Sequence, residues 1–271
     1  MGQLARLTGP FSLILASLGG VAAFVYPFLL AAIGIEPARG SSLAVPLLFA
    51  SLALLSVAVL LSEFVQPERA STDVARSVAL LAVLVAIDAA LRFLPSLIGA
   101  SPIFLLIILS GYVFGARFGF AMGALTLLLS AILTGGIGPW LPYQMLCAGW
   151  IGQSAGWLPK LQGWQRRLLL AGFGAAWGFL FGALMNLWFW PFAAPGVTDS
   201  GGLYWVPGMS LAETVRAYAR FYIATSLLFD GTRALGNALL VLLLSDPLVT
   251  ILERWRERLR WHPWRELDDR A

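Results

Sequence analysis

Val78-Ala-Leu-Leu-Ala-Val-Leu-Val-Ala-Ile-Asp-Ala-Ala-Leu-Arg-Phe-Leu94 is an apolar run with alanine at 82, 86 and 90. At 3.6 residues per turn, a step of four sets those three methyls in one narrow row along a helix. Asp88 and Arg92 interrupt the run one turn apart, a spacing that predicts a local ion pair near a membrane surface. The row itself has two readings. It is internal packing, or it is a groove that lets another transmembrane helix approach closely, because lipid gives helices no hydrophobic drive to associate.

The rest of the chain agrees with a lipid setting. Of 271 residues, 59% are hydrophobic and 12% charged, with a mean hydropathy of +0.82. A soluble domain carries about 25% charged residues. Apolar runs recur at approximately 10–34, 43–64, 76–94, 102–116, 118–135, 143–159, 167–192 and 220–245, about eight spans on the twenty-residue rule. The expected fold is therefore an all-α integral membrane protein. The polar stretch near 66–76 divides it into a two-helix N-terminal extension (1–66) and a six-helix core (76–252). A charged tail (253–271) follows, whose Trp255, Trp261 and Trp264 suit the headgroup level. The first run is too long for a signal-peptide core.

Several function classes are excluded. One cysteine, Cys147, rules out an intrachain disulfide, and one histidine, His262, rules out a His/Cys metal cluster. No metal ligand set and no cofactor are expected. The net charge of +4 comes from residues at the ends of apolar runs, so it is no nucleic-acid signal. There is no P-loop, so the chain is not expected to hydrolyse ATP. Arginine placement orients the spans. Arg6, Arg69, Arg76, Arg117, Lys160, Arg166, Arg167 and six tail arginines fall on one side, and Arg39, Arg92, Arg216 and Arg220 on the other. The bias predicts a multi-pass protein with both termini in the cytoplasm.

Candidate contacts cluster at the opposite, outer side. Thr134-Gly-Gly-Ile-Gly-Pro-Trp-Leu-Pro-Tyr-Gln144 holds three glycines and two prolines and reads as irregular backbone covering or lining a cavity. Trp140 and Tyr143 offer flat faces, and Gln144 offers a donor and an acceptor. Gly174, Gly178 and Gly182 step by four, with Asn186 at the next step. The glycines mark close helix contact, whereas the Asn186 amide either bonds a neighbouring helix or faces a cavity. Gly111, Gly115, Gly119 and Gly123 repeat the spacing around a tight turn at Gly115–Gly119. The outer loop from about 192 to 218 carries Trp205 and a capping box, Ser210-Leu-Ala-Glu213, which predicts a helix from Leu211. In the last span, Asp230, Arg233 and Asn237 share one face at i, i+3 and i+7, and Asp230 lies about 15 Å deep. Charges at that depth face a bundle interior or a wet cavity. The pair either contacts a ligand or only fixes packing.

Asp230-Gly-Thr-Arg233 resembles part of the CDP-alcohol phosphotransferase signature, but the further aspartates that hold its metals are missing. A fuller resemblance covers residues 76–260. Its parts are the alanine row, Leu109-Ser-Gly-Tyr-Val-Phe-Gly-Ala-Arg-Phe-Gly-Phe120, Gly135-Gly-Ile-Gly-Pro-Trp-Leu-Pro-Tyr-Gln-Met145 and Asp230-Gly-Thr-Arg-Ala-Leu-Gly-Asn237. In this order they resemble the S components, the substrate-binding membrane subunits, of energy-coupling factor (ECF) vitamin transporters. The resemblance implies a six-helix core in the cell membrane and capture of a micronutrient near the outer face. It also implies docking to a transmembrane coupling subunit and two ATPases, which alone bind ATP. It assigns Ala82, Ala86 and Ala90 to the coupling contact. The substrate expectation is cobalamin or a corrinoid precursor, held by Trp140, Tyr143, Gln144, Asn186, Trp205, Asp230, Arg233 and Asn237. A membrane enzyme acting on lipid, or a structural subunit without ligand, are the competing readings. The two N-terminal spans depart from the six-helix pattern.

Overall fold

The computed structural model describes residues 14, 17–29, 71–94, 101–194 and 201–259. The expected span at 43–64 and the tail from 260, with Trp261, His262 and Trp264, lie outside the described residues. The described chain is helical, with no strand among the described residues. The helices are α1 (Ser17–Leu29), α2 (Ser71–Leu91), α3 (Ile103–Phe114), α4 (Ala116–Thr134), α5 (Leu141–Ala155), α6 (Gly163–Phe189), α7 (Leu211–Thr225) and α8 (Leu227–Leu259). A 3-10 turn, Trp190–Phe192, extends α6. Three segments, Ala116–Thr134, Gly163–Phe192 and Leu227–Arg258, are long and apolar enough to cross a bilayer alone. The protein is an all-α membrane protein.

The centre of the bundle is α3. Every residue from Ile103 to Val113 is buried, and α3 touches α2, α4, α5, α6 and α8. Being apolar all round, it has no polar face to turn outward. A single residue, Gly115 at φ 100°, joins it to α4. That left-handed backbone favours glycine, and it reverses the chain within one residue. The helix end leaves carbonyls without partners, and cations from later in the chain reach them. The Lys160 ammonium donates to the Tyr112 carbonyl, and Arg256 Nη1 donates to the Val113 carbonyl at 3.2 Å. Lys160 also lies 4.0 Å from the Tyr112 ring centre. Burial, aided by Arg256, draws the Lys160 pKa down.

Around α3 stand two tight helix pairs. In α4–α5 the backbones touch. A Cβ on Gly111 or Gly119 would overlap the Gly152 carbonyl, one on Gly152 the Gly119 carbonyl, and one on Gly123 the Ala148 carbonyl. Close approach of this kind is how small residues hold helices together in lipid. Gly119 and Gly123, four residues apart on α4, are thus met by Gly152 and Ala148 at the same step on α5, and Gly111 of α3 closes on Gly152 as well. The second pair is α6–α8, described with the site below.

Three departures from the sequence reading have local causes. First, α5 starts at Leu141, inside the stretch expected to be irregular. Pro142 sits in the first helical turn, where its missing N–H is no loss. Second, the last span is two helices that break at Ser226, not one starting near residue 220. Third, α8 does not stop near 245 but runs through Pro247 to Leu259. Asp246 is clamped by Arg166 at 2.7 Å and by Arg167, both at the start of α6, which keeps the helix in line past the proline.

The capping box that opens α7 forms in both directions. Glu213 N–H donates to Ser210 Oγ at 3.3 Å, and Ser210 N–H donates to the Glu213 carboxylate at 2.8 Å. The Ser210 hydroxyl also donates to the Glu213 carboxylate at 2.7 Å, and this bond, with that from the Ser210 N–H, draws the Glu213 pKa below its ordinary value. A depressed folded-state pKa gives a contribution present above the unfolded value and lost as pH falls through the lowered one. Amide protection factors at residues 211–214 are therefore expected to drop on acidification through that range. Ser210→Ala should show the low protection already at neutral pH. Protection independent of both would remove the box as the helix start.

Candidate functional site

On α6 the glycine stripe meets the polar face of α8, rung for rung. Asn237 Nδ2 donates to the Gly174 carbonyl at 3.0 Å, and Arg233 Nη1 reaches the Gly178 carbonyl at 3.4 Å. A Cβ on Gly178 would press on the Ala234 backbone, and one on Gly182 would overlap the Asp230 carboxylate. Asp230 is 2% exposed and paired with Arg233, whose guanidinium also lies 5.4 Å from the Phe181 ring. The glycines are absent side chains that make room for buried polar ones. Two acceptors on this ladder, Asp230 Oδ2 and Asn237 Oδ1, are buried with no hydrogen-bond donor among the described residues.

Asn186, the next step on α6, donates to Ser226 Oγ at 2.5 Å. That bond lands on the break between α7 and α8. Alongside it, Tyr218 OH donates to the Ala183 carbonyl, and Tyr222 OH reaches the Phe179 carbonyl at 3.5 Å and lies beside Asp230. So α7 is held down on α6 by three polar bonds. Its other face exposes Leu211, Val215 and Ile223.

Beyond the ladder is an aromatic end. Tyr143, 2% exposed, packs 5.0 Å from Trp188 of α6 and 5.0 Å from Phe24 of α1. Gln144 beside it is half-buried. Trp190, 1% exposed, donates its indole N–H to the Leu203 carbonyl at 2.9 Å and packs on Tyr218 at 5.1 Å. Trp205 is half-buried, edge-on to Phe28 at 5.4 Å. Trp140 stands on its own loop, 41% exposed, donating to the Gly136 carbonyl at 3.1 Å and covering Gly138.

The expected site residues thus fall into three groups. Asp230, Arg233 and Asn237 share the α6–α8 seam, with Asn186 just above. Tyr143, Gln144 and Trp205 belong to the aromatic end, and Trp140 is on the surface loop. The sequence reading missed Phe24, Phe28, Tyr218 and Tyr222. Their signal was present, since each pair sits four residues apart and so shares a helical face.

On α2, Ala82, Ala86 and Ala90 are exposed, together with Val83 and Ile87, while Leu81, Leu84, Val85, Asp88 and Ala89 turn inward. The expected Asp88–Arg92 pair does not form. Arg92 donates to Ser130 Oγ at 3.4 Å, and Asp88, wholly buried, lies beside Thr126. Thr126 and Ser130 on α4 match the 88/92 spacing, so the two chains point across the seam rather than at each other. Both Asp88 oxygens lack a hydrogen-bond donor among the described residues.

No group of three or more potential metal ligands occurs among the described residues. No curated protein and no solved structure matches the chain. A family model described as the ECF transporter substrate-specific component matches residues 76–245, from α2 to the middle of α8. That stretch holds the alanine row, both glycine crossings and the polar ladder. The chain belongs to the family of substrate-specific components of ECF transporters, which are membrane transport subunits and not enzymes.

Proposed function

We propose that this chain captures a bulky ring-containing micronutrient, cobalamin or a corrinoid precursor first among candidates, from outside the cell membrane. It then docks to a coupling subunit that works with two ATPases. In this reading both termini are cytoplasmic and the aromatic end faces outward. The observation that carries the proposal is the exposed alanine row on α2, within the region matched to the family. Methyls at 82, 86 and 90 leave a smooth strip bordered by Val83 and Ile87, onto which a second helix can close without burying a charge. At the aromatic end, Trp140 and Trp205 supply ring faces, buried Tyr143 backs the site between Phe24 and Trp188, and Gln144 and Asn186 supply amides. Asp230, Arg233 and Asn237 supply a polar floor beneath it, buried in the α6–α8 seam. ATP binding belongs to the partners.

Transport requires the outward and inward states to differ in affinity for the substrate, but without the ATPases the chain should bind and not pump, so capture is tested apart from docking. Ala86→Trp fills the strip and is expected to abolish co-purification with coupling and ATPase subunits. The small molecules retained by the detergent-purified chain, read by mass spectrometry, should be unchanged. A variant that still assembles removes the docking assignment. Asn237→Ala should do the converse, leaving assembly intact and cutting retention of the bound molecule. Unchanged retention removes Asn237 from the site.

A further inference from the structure

The family match begins at residue 76, so α1 lies outside it. Yet α1 is built into the aromatic end by one stripe of residues: Ser17, Gly20, Phe24 and Phe28. Trp150 Nε1 of α5 donates to Ser17 Oγ at 3.1 Å. A Cβ on Gly20 would come within 2.8 Å of the Trp150 ring and 3.0 Å of Leu146. Phe24 packs at a 69° angle on Tyr143 and 5.9 Å from Trp150. Phe28 lies 6.2 Å from Trp190 and meets Trp205 at 80°.

A helix that only filled the lipid boundary would need no hydrogen bond, no glycine approach and no paired rings. One of the rings it grips, that of half-buried Trp205, is in the capture site proposed above. Edge-to-face pairs fix ring orientation as well as position. A ring held ready loses less freedom when a ligand stacks on it.

We propose that α1 is a wall of the capture site, in which Phe28 is a positioning residue that sets Trp205 for a flat conjugated-ring ligand, while Phe24 locks the helix onto buried Tyr143. Part of this chain's ring selectivity then resides in a helix outside the family's common region. The inference rests on the capture function proposed above.

The test uses the full chain in detergent: wild type, Phe28→Ala, and Phe28→Leu, which keeps apolar bulk without a ring. Hydrogen exchange is followed across residues 201–209. Riboflavin and cyanocobalamin are titrated as ring probes, with biotin as a non-aromatic comparison. Both variants are expected to speed exchange at 201–209 about tenfold, with α4 and α5 unchanged. They should weaken binding of whichever ring probe the wild type takes by a few-fold to about tenfold. Unchanged exchange in both variants overturns the proposal. So does faster exchange with unaltered ring affinity, because α1 would then be a prop alone. A wild type that binds none of the probes counts against the capture reading itself. The exchange result then still decides whether α1 holds Trp205.

Discussion

Gly152→Val is expected to leave no folded, monodisperse protein. The Cβ position of residue 152 coincides with the Gly119 carbonyl, and Gly111 and Gly119 in turn lie against the Gly152 carbonyl. A flexible side chain can swing aside, but a backbone cannot, so α4 and α5 would have to separate along their whole contact. The cost exceeds the roughly 1–3 kcal/mol of ordinary overpacking. Gly152→Ala already introduces the overlapping atom and should lower the melting temperature sharply. Gly172→Ala is the control. That glycine is exposed on α6 with nothing within 4 Å of an added Cβ, and alanine there should be neutral or stabilise by about 0.5–1 kcal/mol. Size-exclusion profiles and melting curves in detergent read all three. A Gly152→Ala protein that melts like wild type would mean that the crossing is not this close.

Arg233→Leu is the second large effect. It strands the Asp230 carboxylate, 2% exposed, with one oxygen already lacking a donor among the described residues. Breaking a buried pair from one side costs about 3–5 kcal/mol, because the remaining charge is left uncompensated. Asp230→Asn in the same chain removes that charge and should restore much of the loss. The double variant is therefore expected to be more stable than Arg233→Leu alone. A thermal-unfolding cycle over the four proteins gives the coupling. Additive losses would show that the two side chains act independently.

Much of this architecture was legible because its determinants are local or periodic. The Gly174, Gly178 and Gly182 step and the Asp230, Arg233 and Asn237 face are each visible in one segment. What was not visible is that they meet, since register between α6 and α8 is a property of the pair. The Ser210–Glu213 box predicted the start of α7 at Leu211 because all its atoms lie within one turn. The sequence leaves open whether that helix turns or continues into the last span, and the break at Ser226 could not be placed, since no glycine or proline marks it and Asn186, forty residues earlier, supplies the bond. Asp88 and Arg92 misled for the same reason: their spacing fits a local pair, but Arg92 turns to the Ser130 hydroxyl on α4 instead. The alanine row was correctly singled out as one face. Its outward direction depends on what the opposite face buries.

The helices differ greatly in reach. At 1.5 Å per residue, α3 measures about 18 Å and the apolar part of α8, 227–252, about 39 Å, against a hydrocarbon thickness of about 30 Å. A helix shorter than its bilayer normally draws the lipid thinner around it. Sheathed by its neighbours, α3 meets no acyl chains and exerts no such pull. Hydrophobic mismatch therefore acts on the outer helices, and above all on the tilt of α8. Thicker or thinner membranes should lean α8 and leave the central helix where it is.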